Sequence, residues 1–175
     1  FDAVVTDVRD DEVVLDRTAF YPGGGGQPAD TGRLLLGEGE RPVRKVRKDA
    51  GQVWHALEGQ LPAVGASVHG IVDWPRRFDL MRTHTAMHIL CGVIWRDYGA
   101  RVTGGNMEPL RGRMDFEFET MSQELVREIE AKINAEVTAA RPVQVRILPR
   151  QEAFEIPDLI RTKINLLPQG IEQVR

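Results

Sequence analysis

The sequence predicts an α+β chain: a small N-terminal β-barrel over residues 1–75, then an α+β domain over residues 76–175 with two helices and an antiparallel sheet. Three observations carry this reading. The first 73 residues hold six short runs rich in β-branched side chains, separated by turns containing Gly, Pro and Asp. Two later stretches repeat their apolar residues with a helical period. Short alternating stretches lie between and after them, so helices and strands interleave.

The six runs are residues 2–8, 12–16, 33–36, 43–48, 52–57 and 67–73. Six strands this short and this close in sequence fit a small barrel. Pro75 discourages helix at the residue before it, so Asp73-Trp74-Pro75-Arg76-Arg77 is the expected domain boundary. A helix is then expected over 79–98, with Asp79 as N-cap, an apolar stripe of Leu80, Met87, Leu90 and Ile94, and Gly99 as its stop. Residues 113–119 alternate as a strand, Met114, Phe116 and Phe118 against Asp115, Glu117 and Glu119. Thr120-Met121-Ser122-Gln123 resembles a capping box. The helix that follows presents Leu125, Ile129, Ile133 and Val137 on one face and ends before Pro142; residues 143–148 read as a further strand.

Composition sets outer limits. The chain has 175 residues, 42% apolar and 28% charged, as ordinary globular domains do. Its apolar runs stay well short of the roughly 18 residues of a membrane span. The single cysteine, Cys91, excludes an internal disulfide and fits a reducing, cytoplasmic setting. A net charge of −3 does not advertise nucleic acid, so any RNA contact must come from local patches. Arg41, Arg44, Lys45, Arg47 and Lys48 form one such patch; Arg76, Arg77 and Arg82 form another.

Two motifs point to chemistry. In Arg82-Thr83-His84-Thr85-Ala86-Met87-His88-Ile89-Leu90, helical spacing puts His84 and His88 one turn apart on one face, where two imidazoles can hold one metal ion. Thr85 stands where a zinc protease of the H-E-x-x-H type needs its glutamate, so that chemistry is excluded. Cys91 shares the same face and is a conceivable third ligand. The second motif is Phe20-Tyr21-Pro22-Gly23-Gly24-Gly25-Gly26-Gln27-Pro28-Ala29-Asp30-Thr31-Gly32. Four consecutive glycines cost backbone entropy and pack nothing. They fit a backbone that bends sharply or approaches a ligand closely. The Lys-Ser/Thr of a phosphate-binding P-loop is missing after them. His55 and His69 fall on expected strands and read as structural.

Together the two motifs resemble the editing domains of alanyl-tRNA synthetases, and most closely their free-standing, medium-length AlaX relatives. The similarity extends through Arg113-Met114-Asp115-Phe116 and the helix around Ile129-Glu130-Ala131-Lys132-Ile133-Asn134. It implies hydrolysis of tRNA(Ala) mischarged with serine or glycine, and a Zn2+ ion held in part by His84 and His88. It also implies further ligands on a Cys-x-x-x-His segment beyond a strand starting near residues 171–175. The chain opens at Phe1 within a strand pattern, and residues are expected to be missing at both ends. Gly24, Gly25, Gly26 and Gln27 are the expected wall of an amino-acid pocket, and Thr103 the expected polar partner of the substrate hydroxyl. The residues leave the role of the metal open between activating water and orienting the substrate. They also leave two other functions open: a tRNA-binding module without catalysis, and a metallohydrolase of small esters or amides.

Overall fold

A computed structural model describes residues 1–37, 39–163 and 170–174. Strands β1 (Asp2–Arg9), β2 (Glu12–Leu15), β3 (Gly32–Leu36), β4 (Gly39–Asp49), β5 (Gln52–Leu57) and β6 (Ser67–Val72) close into an antiparallel barrel in the order β1-β2-β5-β4-β3-β6. Closure comes from the β1–β6 pair, which sets Ala3 opposite Val68. Alternation decides what fills the barrel: Ala3, Val5, Val13, Leu15, Leu34, Val43, Val46, Leu57 and Val68 point inward and are buried. Phe20, in the loop before β3, joins this core edge-on to the rings of Phe1 and His55. Burying a ring of this size stabilises by roughly 1.5–3 kcal/mol.

His55 is structural, as its strand position predicts. It is fully buried. Its Nδ1 donates to the Val13 carbonyl (3.2 Å), and its Nε2 accepts from the Thr18 hydroxyl (2.8 Å). Burial pushes its pKa down, and the bond to Val13 opposes that shift.

Helix α1 runs from Trp74 to Tyr98, one turn earlier than the sequence predicts. Pro75 falls in the first turn, where its missing N–H costs nothing and its fixed φ suits the helix. Asp73, not Asp79, opens the helix: its carboxylate accepts from Arg76 N–H (3.3 Å) and its carbonyl from Arg77 N–H (2.9 Å). Strands β7 (Val102–Glu108) and β8 (Arg111–Phe116) form a hairpin. Helix α2 (Gln123–Thr138) is capped by Ser122, whose hydroxyl accepts from Leu125 N–H at 3.1 Å. The cap thus lies two residues beyond the expected Thr120.

Strand β9 (Leu148–Pro149), the short helix α3 (Arg150–Phe154) and β10 (Gln173–Val174) complete the elements; β10 pairs with β9. The strand expected over 143–148 is therefore corrected. Residues 142–147 carry no regular structure and are exposed. Val143, Val145 and Ile147 alternate as a strand would, but a strand also needs a hydrogen-bonding neighbour, and β10 reaches only Leu148 and Pro149.

The chain divides into two compact units: residues Phe1–His84 with Asn106–Gly112, and Thr85–Gly105 with Arg113–Arg175. In the second, Ile94, Ala100 and Ile129 form a core joined by Leu90, Phe116, Phe118, Leu125 and Ile133. Among the described residues, no helix is long and apolar enough to cross a membrane.

Candidate active site

The glycine loop is a closed turn whose conformation requires glycine. Gly23, Gly24, Gly25 and Gly26 have φ of 79°, 122°, 59° and 83°, a region that side chains with a Cβ enter at a cost. Gly24 and Gln27 exchange both backbone hydrogen bonds at 3.0 Å, and the Tyr21 hydroxyl donates to the Gly24 carbonyl at 2.9 Å. At the base of the loop, Asp30 N–H donates to the Tyr21 carbonyl, while Tyr21 N–H donates to the Asp30 carboxylate at 2.6 Å. A Cβ on Gly25 would meet nothing within 4 Å, so the tip is open.

Asp30 is 1% exposed, and its charge is met by Arg77 of α1. Arg77 Nε donates to both carboxylate oxygens (2.9 and 3.1 Å), and Nη2 adds a further bond to Oδ2 and one to the Ala19 carbonyl (2.8 Å). The Asp30 carboxylate holds the Arg77 guanidinium above its ordinary pKa. This pair fixes the end of the glycine loop to the first turns of α1. The sequence pattern placed Arg77 in a patch for RNA; the fold uses it to neutralise a buried carboxylate. Arg76 is turned inward as well, donating to the Ala29 carbonyl at 3.4 Å. Of the three arginines, Arg82 is the exposed one. In the other expected patch, Arg44 meets Asp11 and Glu58, and Arg47 meets Glu12 and Asp49, so much of its charge is answered locally.

The loop reaches the histidine motif directly. His84 Nδ1 donates to Gln27 Oε1 at 2.9 Å, because an amide oxygen can only accept. In the neutral ring that bond places the proton on Nδ1. His88 follows one helical turn later on α1. The Gly26 carbonyl accepts from Met107 N–H of the β7–β8 hairpin at 3.1 Å, fixing the loop on its other side.

An imidazole whose second nitrogen donates to an oxygen acceptor is the arrangement that ligating histidines adopt. The donor chemistry at His84 therefore fits a metal such as zinc. Among the described residues, no group of three or more His, Cys, Asp or Glu side chains is arranged to hold an ion, so the motif supplies a pair of imidazoles and not a closed set. Cys91 is not grouped with the pair among the described residues; burial pushes its thiol pKa up, while the nearby Arg161 opposes the shift.

Thr103, expected in a loop, lies on β7 and is exposed. A Cβ on Gly105 would meet the Arg113 carbonyl of β8 at 2.9 Å, and Met114 of β8 and Met87 of α1 at 3.6 Å. Thr103, two residues earlier, lies on the same side of the strand.

Comparison with known proteins shows the family of the chain. A family profile described as tRNA synthetases class II (A) matches residues 1–76. Across its whole length the chain is 38% identical to the alanyl-tRNA editing protein AlaX-M of Methanosarcina acetivorans, covering 75% of that protein. It is 37% identical to the AlaX-M protein of Saccharolobus solfataricus over 97% of the chain and 72% of the relative. It is also 42% identical over 89% of its length to the alanine–tRNA ligase of Pyrococcus furiosus, of which it covers 17%.

Proposed function

The chain belongs to the AlaX-M family of alanyl-tRNA editing proteins, and from that premise we propose that it is a trans-editing hydrolase that deacylates mischarged tRNA(Ala). Ser-tRNA(Ala) is its main substrate and Gly-tRNA(Ala) a second one. The observation that carries the reading is the bond from His84 to Gln27, which joins the glycine loop to the histidine motif.

The reaction is hydrolysis of an ester. Water adds to the carbonyl carbon and gives up a proton, and a tetrahedral oxyanion forms. On its collapse the ester C–O bond breaks: the ribose oxygen takes a proton and leaves as the hydroxyl, and the amino acid keeps the new oxygen. His84 and His88 are the residues that would hold zinc. A bound zinc ion supplies electrophilic stabilisation of negative charge at the carbonyl and a point of attachment for the substrate. Gln27 holds the His84 ring in the tautomer protonated on Nδ1. The loop glycines allow the backbone to come close to the amino acid, where a side chain would intrude. Thr103 offers a hydroxyl to the substrate side chain, and alanine, lacking a partner for it, is the poorer substrate.

The discriminating experiment compares Ser-tRNA(Ala) with a small seryl ester, alongside elemental analysis of the protein and its His84→Ala/His88→Ala variant. The reading expects zinc in the unaltered protein, less in the variant, and fast hydrolysis only of the tRNA ester. Equal rates on the small ester indicate a general esterase, and tRNA binding without hydrolysis a non-catalytic module.

A further inference from the structure

The first half of α1 carries an apolar stripe that the barrel core does not use. Trp74, Phe78 and Met81 are 59%, 48% and 47% exposed. At 100° per residue these positions, and Thr85 after them, fall within one narrow band of the helix surface. The rings of Trp74 and Phe78 lie 6.3 Å apart at 31° to each other, forming a tilted, nearly continuous ledge. Exposing a tryptophan and a phenylalanine side by side is unusual for a surface with no partner.

What surrounds the ledge decides what it suits. Trp74 walls a cleft of about 600 Å³ whose other sides include Thr31, Arg33, Asp73 and Pro75. Arg33 is half exposed at this rim, paired with Glu40 at 3.2 Å, and Arg82 extends from the helix one residue past Met81, weakly paired with Asp79 at 3.8 Å. Cations at the margins can meet a phosphate backbone. The Asp73 carboxylate and Thr31 can take hydrogen bonds from base amino groups or ribose hydroxyls. Three side chains are far too few for a stable protein interface, which engages some 20–30 residues a side. They suffice for stacking unpaired bases, which every aromatic face does without regard to sequence.

We propose that Trp74, Phe78 and Met81, flanked by Arg33 and Arg82, form a stacking platform for unpaired nucleotides of the RNA substrate. The inference rests on the editing function above for the identity of the RNA. His84 lies on the same helix, ten residues beyond Trp74, or ~15 Å along its axis. A single strand stacked on the ledge can therefore run toward the histidine and deliver its esterified end there. The platform adds affinity for the nucleic acid and leaves the chemical step to residues further along the helix.

Binding of labelled, unacylated tRNA(Ala) and of a short single-stranded oligoribonucleotide, followed by fluorescence anisotropy, tests the proposal. Trp74→Ala and Phe78→Ala should each weaken both RNAs roughly five- to a hundredfold, the effect of losing one stacked base. Trp74→Phe keeps a flat ring and should restore most of the loss. All three side chains are exposed, so circular dichroism and thermal melting should match the unaltered protein. The variants should raise KM for Ser-tRNA(Ala) and leave kcat nearly unchanged. Unaltered affinities in Trp74→Ala and Phe78→Ala would overturn the proposal. So would a dimer that these substitutions convert to monomer, which assigns the face to a second copy of the chain. If the unaltered protein binds RNA through Trp74 but hydrolyses nothing, the platform stands and the editing function falls.

Discussion

His84 and Gln27 are 57 residues apart in sequence and share a 2.9 Å hydrogen bond, with the imidazole Nδ1–H donating to the amide oxygen. The glutamine comes from a loop that packs no core and the histidine from a helix that does. The bond ties the loop to the helix at His84.

Replacing Gln27 with Ala removes the acceptor that orients His84 Nδ1. Loss of such an outer partner lowers metal affinity about ten- to a hundredfold. Zinc affinity measured by competition with a chromogenic chelator should fall in that range, with deacylation falling in parallel and the melting temperature almost unmoved. Unchanged zinc affinity would mean that the bond does not prepare a ligand.

Two glycines should respond in opposite ways to the same substitution. At Gly25 a methyl group meets nothing within 4 Å, and its cost is that of a positive φ, roughly 1–2 kcal/mol. At Gly32 a Cβ would collide with the backbone carbonyl of Ile71 and approach the Phe20 ring to 2.8 Å. Gly25→Ala should therefore fold and lose activity out of proportion to its stability, whereas Gly32→Ala should unfold early. Chemical denaturation beside deacylation rates separates the two; a fully active Gly25→Ala protein would show that the loop does not approach the substrate.

The buried Asp30–Arg77 pair predicts a further stability effect. Removing one member of a fully buried ion pair costs about 3–5 kcal/mol, an upper bound here because Arg77 is 22% exposed and Asp30 keeps the bond from Tyr21 N–H. Arg77→Ala strands the Asp30 carboxylate, which is 1% exposed, and should shift the urea midpoint sharply downward. A midpoint within error of the unaltered protein would mean that the pair contributes little to the fold.

How much of this was legible in the sequence depended on how local each cause was. The six barrel strands follow β-branched runs and turn residues, and their bounds agree to within a few residues. The α1 start was misplaced because Pro75 was read as a barrier; the local sequence does not show that Asp73 caps the turn containing it. Alternation at Val143, Val145 and Ile147 was legible, but the pairing a strand needs lies in another segment. The motifs containing Gln27 and His84 were legible singly. The bond between them, like the meeting of Asp30 with Arg77 at 47 residues' separation, is a product of the tertiary fold. Arg77 was read as a surface cation because residue type gives no sign of a buried carboxylate nearby.

Specificity is expected to turn on one hydroxyl. Thr103 lies on β7 with its side chain exposed. A hydroxyl partner that the bound substrate would bury and alanine would leave unsatisfied costs about 1–3 kcal/mol, or roughly five- to 150-fold in rate. Thr103→Val retains shape and deletes the hydroxyl, so it should reduce the preference for Ser-tRNA(Ala) over Ala-tRNA(Ala) without changing zinc content. An unchanged ratio of rates would pass the role to Gln27.

Incubating the protein with Ser-tRNA(Ala) and, separately, with Ala-tRNA(Ala), and following loss of the amino acid over time, tests the editing activity. Serine should be lost rapidly and alanine slowly, with no serine loss above the uncatalysed rate in the His84→Ala/His88→Ala variant. Serine loss no faster than in buffer, or equally fast from the variant, would contradict it.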